Sequence, residues 1–389
     1  MKNLYQGDRG ILVSYMQLAL KRAGYPLLVD GIFGTNTCRA LADFLQTDRT
    51  PDRICVVDRS VWEKLLPYLR GYATEEGENR ILFEDPVTSV EVPYTSLLTA
   101  AVIDGLLARY PFLKSGEIGK SVMGKPISYL EIGNGEKEVF YNASFHANES
   151  ITTPVLLKFA EEYAQAYEKG TALYGVPAAE LFEEYRLFLV PLVNPDGVDL
   201  VNGLLTDGGY YRRAQQIASD YPTIPFPAGW KANIEGIDLN IQFPAGWENA
   251  KRIKYAQGYT KPAPRDYVGE APLTAPESEA VYAFTRSHDF RLILAYHTQG
   301  EVIYWKYLDY EPARSYEIAQ YFGRVSGYTV EQTPTQSGYA GYKDWFIQEY
   351  DRPGYTIEAG MGENPLPMSD FAGIYRDNTG ILLGGMTQI

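Results

Sequence analysis

A histidine and a glutamate three residues apart follow the apolar run Val139-Phe140-Tyr141-Asn142-Ala143-Ser144-Phe145, as His146-Ala147-Asn148-Glu149. At the C-terminal edge of a buried strand, one imidazole and one carboxylate at this spacing can turn toward a common point. They then supply two of the three protein ligands of a catalytic zinc, whose fourth position stays open for water. Chance produces the pair often, and a strand-end histidine followed by a glutamate favoured by a helix dipole is the plain structural alternative. A further histidine shifts the balance. His297 ends a second apolar run, Leu292-Ile293-Leu294-Ala295-Tyr296, so two of only three histidines in the chain stand at strand ends. Open α/β sheets place their ligands there. The third, His288, lies at a polar helix end and reads as a surface residue. Hydrolysis also requires a base for the water. Glu358 closes the apolar run Tyr355-Thr356-Ile357, where a carboxylate without a partner is costly to bury, so a functional role is the favoured reading.

These residues need a scaffold that brings strand ends together. From residue 86 the pattern alternates: strands are predicted over 127–132, 139–145, 187–193, 292–296, 302–305 and 355–357. Helices are predicted over 95–109, 153–167, 276–287 and 312–326. Such interleaving points to an α/β sandwich around a largely buried sheet. Residues 71–85 are polar, acidic and glycine-containing, and read as a linker. Residues 1–70 carry three short helical patterns separated by glycine turns. The chain thus divides into 1–70, 71–85 and 86–389.

Composition narrows the classes. The 389 residues carry 35 Lys and Arg against 49 Asp and Glu, a net charge of −14, which argues against binding nucleic acid or anionic membrane by charge. No apolar run approaches the ~20 residues of a membrane helix. The first residues, Met-Lys-Asn-Leu-Tyr-Gln-Gly, lack the apolar core and cleavage site of a secretion signal. Action inside the cell or the spore compartment is one expectation, and the cell wall the other if a leader precedes this sequence. Cys38 and Cys55 are expected to be packed free thiols.

Five blocks in order, "FHANE", "LVNPDGVDL", "GIDLNIQF", "AYHTQG" and "GYTIEAG", together with "EIGKSVMGKPISYLEIG", resemble the signature of the zinc metallocarboxypeptidases over about residues 90–389. The resemblance implies an α/β/α fold with a mixed twisted sheet and a zinc-dependent peptide hydrolase. It makes His146, Glu149 and His297 the metal ligands, Glu358 the general base and Asn240 a substrate-carboxylate ligand. Two departures stand out. Where the family has an arginine after that asparagine, to grip a C-terminal carboxylate, this chain has Ile241; where it has an oxyanion arginine after a tryptophan, this chain has Lys231 after Trp230. Lysine keeps the charge but loses the planar fork. Arg212 and Arg213 are rivals for the lost arginines, and Tyr339 is matched to a mobile substrate tyrosine. The text "GDRGILVSYMQLALKRAGY…VDGIFGTNTCRALADFLQ…VVDRSVWEKLL" resembles a peptidoglycan-binding domain of bacterial wall hydrolases. Such a domain would act as a tether that raises local concentration on an insoluble polymer.

Together these resemblances suggest the family branch of bacterial γ-D-glutamyl-L-diamino acid endopeptidases, with Zn²⁺ as cofactor and peptidoglycan or muropeptides as substrate. Two other readings stay open: a carboxypeptidase whose anchor has moved to Arg212 or Arg213, and a non-catalytic wall-binding protein with a dead hydrolase domain.

Overall fold

The computed structural model describes residues 2–46 and 55–389. Its centre is an eight-stranded mixed sheet in the spatial order Thr329–Glu331, Val302–Tyr304, Gly354–Glu358, Leu292–His297, Lys137–Ala143, Tyr185–Val190, Pro126–Ile132, Lys114–Lys120. The four central strands, from Gly354–Glu358 to Tyr185–Val190, run parallel, and antiparallel strands continue the sheet on either side. Residues alternate between the faces with the strand period of two. Val139, Tyr141, Leu187, Leu189, Leu292, Leu294, Tyr355 and Ile357 belong to one core. That core includes the helices Ser96–Arg109, Thr152–Glu168, Ser315–Ser326 and Phe371–Thr387. Phe140, Phe188, Ile293 and Ala295 face the other core, beneath Pro276–Arg286 and Tyr342–Tyr350. The α/β/α layering expected from the sequence is therefore the one found. Parallel pairing aligns the C-terminal ends of the central strands: Tyr296 registers with Ala143, and His297 with Glu358.

The N-terminal segment contains the helices Ile11–Arg22, Thr35–Phe44 and Arg59–Arg70. They do not hang from a polar linker. Within 71–85, strands Tyr72–Glu75 and Glu78–Ile81 pair as a hairpin. Its two loop residues, Glu76 and Gly77, both have positive φ, 52° and 87°, the backbone sense that suits the strands' twist. The expectation of a linker missed this because the strands are short and polar. Helix Arg59–Arg70 packs onto Ser96–Arg109, and Ile11–Arg22 packs on Arg59–Arg70 within the same core. Tyr15, fully buried, donates its hydroxyl to the Pro93 carbonyl at 2.8 Å. Arg22 donates to the carbonyls of Leu69 and Val87, at 3.1 and 2.6 Å, and its guanidinium lies 5.0 Å from the Phe83 ring centre.

The two cysteines also correct their expectation. Cys38 and Cys55 form a disulfide, with Cα atoms 5.8 Å apart, inside the range that a bridge requires. Pairing of Val56–Val57 with Leu4–Tyr5, and the hydrogen bond from Gln6 N–H to the Cys55 carbonyl, bring Cys55 beside the helix that carries Cys38. Spacing in sequence does not reveal that. Among the described residues, no helix is long and apolar enough to cross a membrane.

Candidate active site

After strand Lys137–Ala143 the chain turns at Ser144, which takes a positive φ of 54°. This sparsely populated conformation is held by the Ser144 hydroxyl, 3.0 and 2.9 Å from those of Thr152 and Thr153. A single 3₁₀ turn, Ala147–Glu149, follows, with His146 as its N-cap. Residues three apart eclipse in such a turn, so His146 and Glu149 point the same way. Their side chains meet at 2.9 Å, Nδ1 to Oε1. His297 arrives from the parallel strand, its Nδ1 2.9 Å from Glu149 Oε2 and 3.2 Å from His146 Nδ1.

Two ring nitrogens that face each other across a carboxylate form a donor set that could hold a metal ion. The three ligand atoms lie within 4.8 Å of one another, and 3.2 Å between nitrogens is close to the ~3.3 Å expected for two tetrahedral ligands at zinc bond lengths of ~2.0–2.1 Å. A zinc ion therefore fits these residues. The far nitrogen of His146, Nε2, lies 3.2 Å from Asp238 Oδ1, an outer contact of the kind that fixes the tautomer and orientation of a ligating imidazole. Burial by itself would push the His146 imidazolium down, but Glu149 and Asp238 outweigh it and pull the group up to about 9. Burial would likewise raise the Glu149 carboxyl, yet His146 and Lys231 hold it well below the usual range.

Lys231 reaches the same carboxylate, Nζ to Glu149 Oε1 at 3.0 Å. Its main chain is clamped on both sides: its N–H donates to the Pro264 carbonyl at 2.7 Å, and its carbonyl accepts from Ala147 N–H at 3.0 Å. Glu358 stands opposite, at the end of its strand. Burial, reinforced by the Glu149 charge, lifts its carboxyl above the ordinary range, although His297 and Lys231 draw it down. A carboxylate poised to take a proton needs such an environment.

His146, Lys231, Asp238 and Glu358 line a cleft of about 220 Å³ together with Asn240 and Ile241. Asn240 accepts a hydrogen bond from Tyr342 N–H through Oδ1 at 3.2 Å, and Ile241 is buried beside it. The other sequence candidates are placed elsewhere. Arg212 and Arg213 are exposed on helix Gly208–Ser219 and do not line the cleft. Tyr339 is not in the lining either; its ring packs edge-on against Tyr307, 6.4 Å between centres. His288 is only partly exposed, stacked 4.9 Å from Phe290 with Nδ1 3.2 Å from Glu138 Oε2. Among the lining residues not singled out from sequence are Asp238, Arg265 and Lys343. Asp238 precedes Asn240 in the block "GIDLNIQF", and a buried aspartate next to a ligand-type asparagine is the signal that could have found it.

The zinc carboxypeptidase family profile matches residues 99–379. The chain belongs to the zinc carboxypeptidase family. It is 48% identical over 285 residues to γ-D-glutamyl-L-diamino acid endopeptidase 1 of Lysinibacillus sphaericus, covering 73% of this chain and 70% of that protein. It is 44% identical over 276 residues to the uncharacterized protein YqgT of Bacillus subtilis (strain 168), covering 70% and 72%. Among solved structures, carboxypeptidase A from Helicoverpa armigera superposes with a TM-score of 0.57 at 19% identity, over 90% of this chain and 94% of its own. Thrombin-activatable fibrinolysis inhibitor gives 0.61 at 17% identity, over 78% and 77%. Those two likenesses establish the fold of this zinc peptidase.

Proposed function

We propose that this chain is a zinc-dependent peptidoglycan hydrolase that cleaves the amide between the γ-carbonyl of D-glutamate and the following diamino acid in stem peptides. The observation that carries the reading is Ile241. It lines the cleft together with His146 and Glu358, at the position where the family pattern puts a carboxylate-gripping arginine. Isoleucine cannot form that charge-assisted pair and disfavours a bare carboxylate next to it. A cleft with an intact hydrolytic set and no arginine at that position suits a bond inside a stem rather than the last bond of a chain. Similarity to the Lysinibacillus enzyme supports the same choice. The intact ligand set and Glu358 speak against a non-catalytic wall-binding protein.

Bound by His146, Glu149 and His297, zinc would supply a Lewis acid that acidifies water and polarises a carbonyl. The protein's own groups do the rest. Glu358 takes a proton from the attacking water and returns it to the departing nitrogen of the diamino acid. Lys231 offsets the negative charge that develops on the carbonyl oxygen. Residues 1–70, by their resemblance to peptidoglycan-binding domains, would hold the enzyme on its polymer.

Mass spectrometry of products from defined muropeptides tests the reading. Tripeptide and tetrapeptide stems should both be cut after D-glutamate, and amidation of the C-terminal carboxylate should change the rate only modestly. A strict need for a free carboxylate on the residue just past the cleaved bond would show a carboxypeptidase instead. Glu358→Gln should keep its zinc and lose activity by several orders of magnitude.

A further inference from the structure

The cleft holds cations beyond Lys231, and their bonding separates them. Lys343, buried, is committed: its ammonium donates to the Lys306 carbonyl at 2.7 Å and the Thr333 hydroxyl at 3.3 Å, and it lies 2.5 Å from Asp344 Oδ1. Arg265 is different. Its Nε donates to Asp266 Oδ2 at 2.7 Å, while neither terminal amino group makes a hydrogen bond among the described residues. The side chain is 44% exposed and lines the cleft.

Its position is nonetheless fixed. Asp266 Oδ1 pairs with Lys254 at 2.5 Å, and Asp266 N–H donates to Asp238 Oδ2 at 3.0 Å. Asp238 is the carboxylate that orients His146. On the other side, the Pro264 carbonyl accepts the N–H groups of Lys231 and Ala232 at 2.7 and 2.9 Å. Arg265 therefore sits between two residues tied directly to the hydrolytic groups. Asp266 neutralises one of the two cations it touches. Within this trio one positive charge is left over, although the Asp238 carboxylate also acts on Arg265, and the terminal amino groups of the guanidinium keep their donors free of partners among the described residues.

A γ-glutamyl amide differs from an ordinary peptide in one respect that a protein can read by charge: the acyl side of the scissile bond keeps a free α-carboxylate. We propose that Arg265 binds this α-carboxylate and so sets the preference for γ-linked glutamyl substrates. The assignment rests on the reading given under Proposed function. Two terminal amino groups in a planar fork match a carboxylate in a bidentate pair, and Asp266 holds the fork in place from behind. The arginine missing at Ile241 would have gripped the leaving side; this one grips the acyl side.

The test uses the full-length zinc enzyme and two soluble tripeptide stems, one with a free D-glutamate α-carboxylate and one with that group amidated. The unmodified enzyme should prefer the free acid. Arg265→Gln should lower kcat/KM for the free acid by roughly ten- to a hundredfold, the range for hydrogen bonds to a charged group. It should leave the amidated stem nearly unchanged, so that the preference disappears. Arg265→Lys should recover part of it. Zinc content and urea midpoint serve as checks that both variants fold. Equal losses on the two stems, or no preference in the unmodified enzyme, would overturn the assignment while leaving the γ-glutamyl reading intact. Cleavage of neither stem by the unmodified enzyme would overturn that reading and the assignment with it.

Discussion

Gly105 lies inside helix Ser96–Arg109, where alanine should be favoured by about 0.5–1 kcal/mol on propensity alone. The packing of the N-terminal helices predicts the opposite. A Cβ at Gly105 would come within 1.9 Å of the Arg70 carbonyl oxygen, 2.7 Å of Val87 Cγ1 and 3.0 Å of the Arg70 carbonyl carbon. Two of these atoms are backbone at the end of helix Arg59–Arg70, so no rotamer change relieves the contact; the helices must move apart. Overpacking that forces such backbone shifts costs about 1–3 kcal/mol. Gly105→Ala should therefore destabilise the protein by up to ~2 kcal/mol net, despite the propensity gain. Gly373, inside helix Phe371–Thr387, provides the control: a Cβ there meets only an arginine nitrogen at 3.8 Å. Gly373→Ala should gain up to ~1 kcal/mol. Urea unfolding followed by circular dichroism, with tryptophan fluorescence as second probe, measures both. A raised midpoint in Gly105→Ala, matching the control, would refute the argument. Residues 1–70 would then be a loosely attached module, as the sequence resemblance first suggested.

The remaining expectations concern the metal centre and one buried carboxyl. His146→Ala should lose nearly all bound zinc by elemental analysis; full zinc content would remove His146 from the ligand set. Asp238→Asn should keep the fold but weaken zinc binding about 10- to 100-fold in competition with a chelator, because the imidazole loses its orienting carboxylate. An unchanged affinity would make Asp238 a packing residue only. Glu277 is fully buried, accepting from Val122 N–H and Asn233 Nδ2, both at 3.1 Å, and burial pushes its carboxyl up to about 7. The folded state therefore binds more protons than the unfolded chain between about pH 4.3 and 7, and stability falls as pH rises through that window. Glu277→Gln should flatten the stability profile between pH 5 and 8, whatever its effect on absolute stability. An unaltered slope would show that the group ionises normally.

What the amino-acid order settled by itself is short-range or periodic. Alternating apolar runs marked the central strands to within a few residues, and chemistry-bearing residues at their ends marked His146, Glu149, His297 and Glu358, because a strand exposes its terminus wherever the sheet ends. The departures at Ile241 and Lys231 were equally legible, since each sits inside a recognisable block. Three-dimensional packing decided the rest. Arg265 lies in a loop with no periodicity, and only Pro264 and Asp266, bonded to two separate parts of the site, make it part of the cleft. Arg212 and Arg213 looked equivalent in sequence but face solvent, since a helix places a residue according to which of its faces is buried. Short polar strands at 72–81 and the Cys38–Cys55 bridge carried no signal strong enough to read; both depend on partners that folding supplies. The N-terminal helices showed their apolar faces in the sequence. Which surface those faces would cover, their own module alone or the catalytic domain as well, follows only from contacts such as those of Tyr15 and Arg22, made across more than sixty residues of chain.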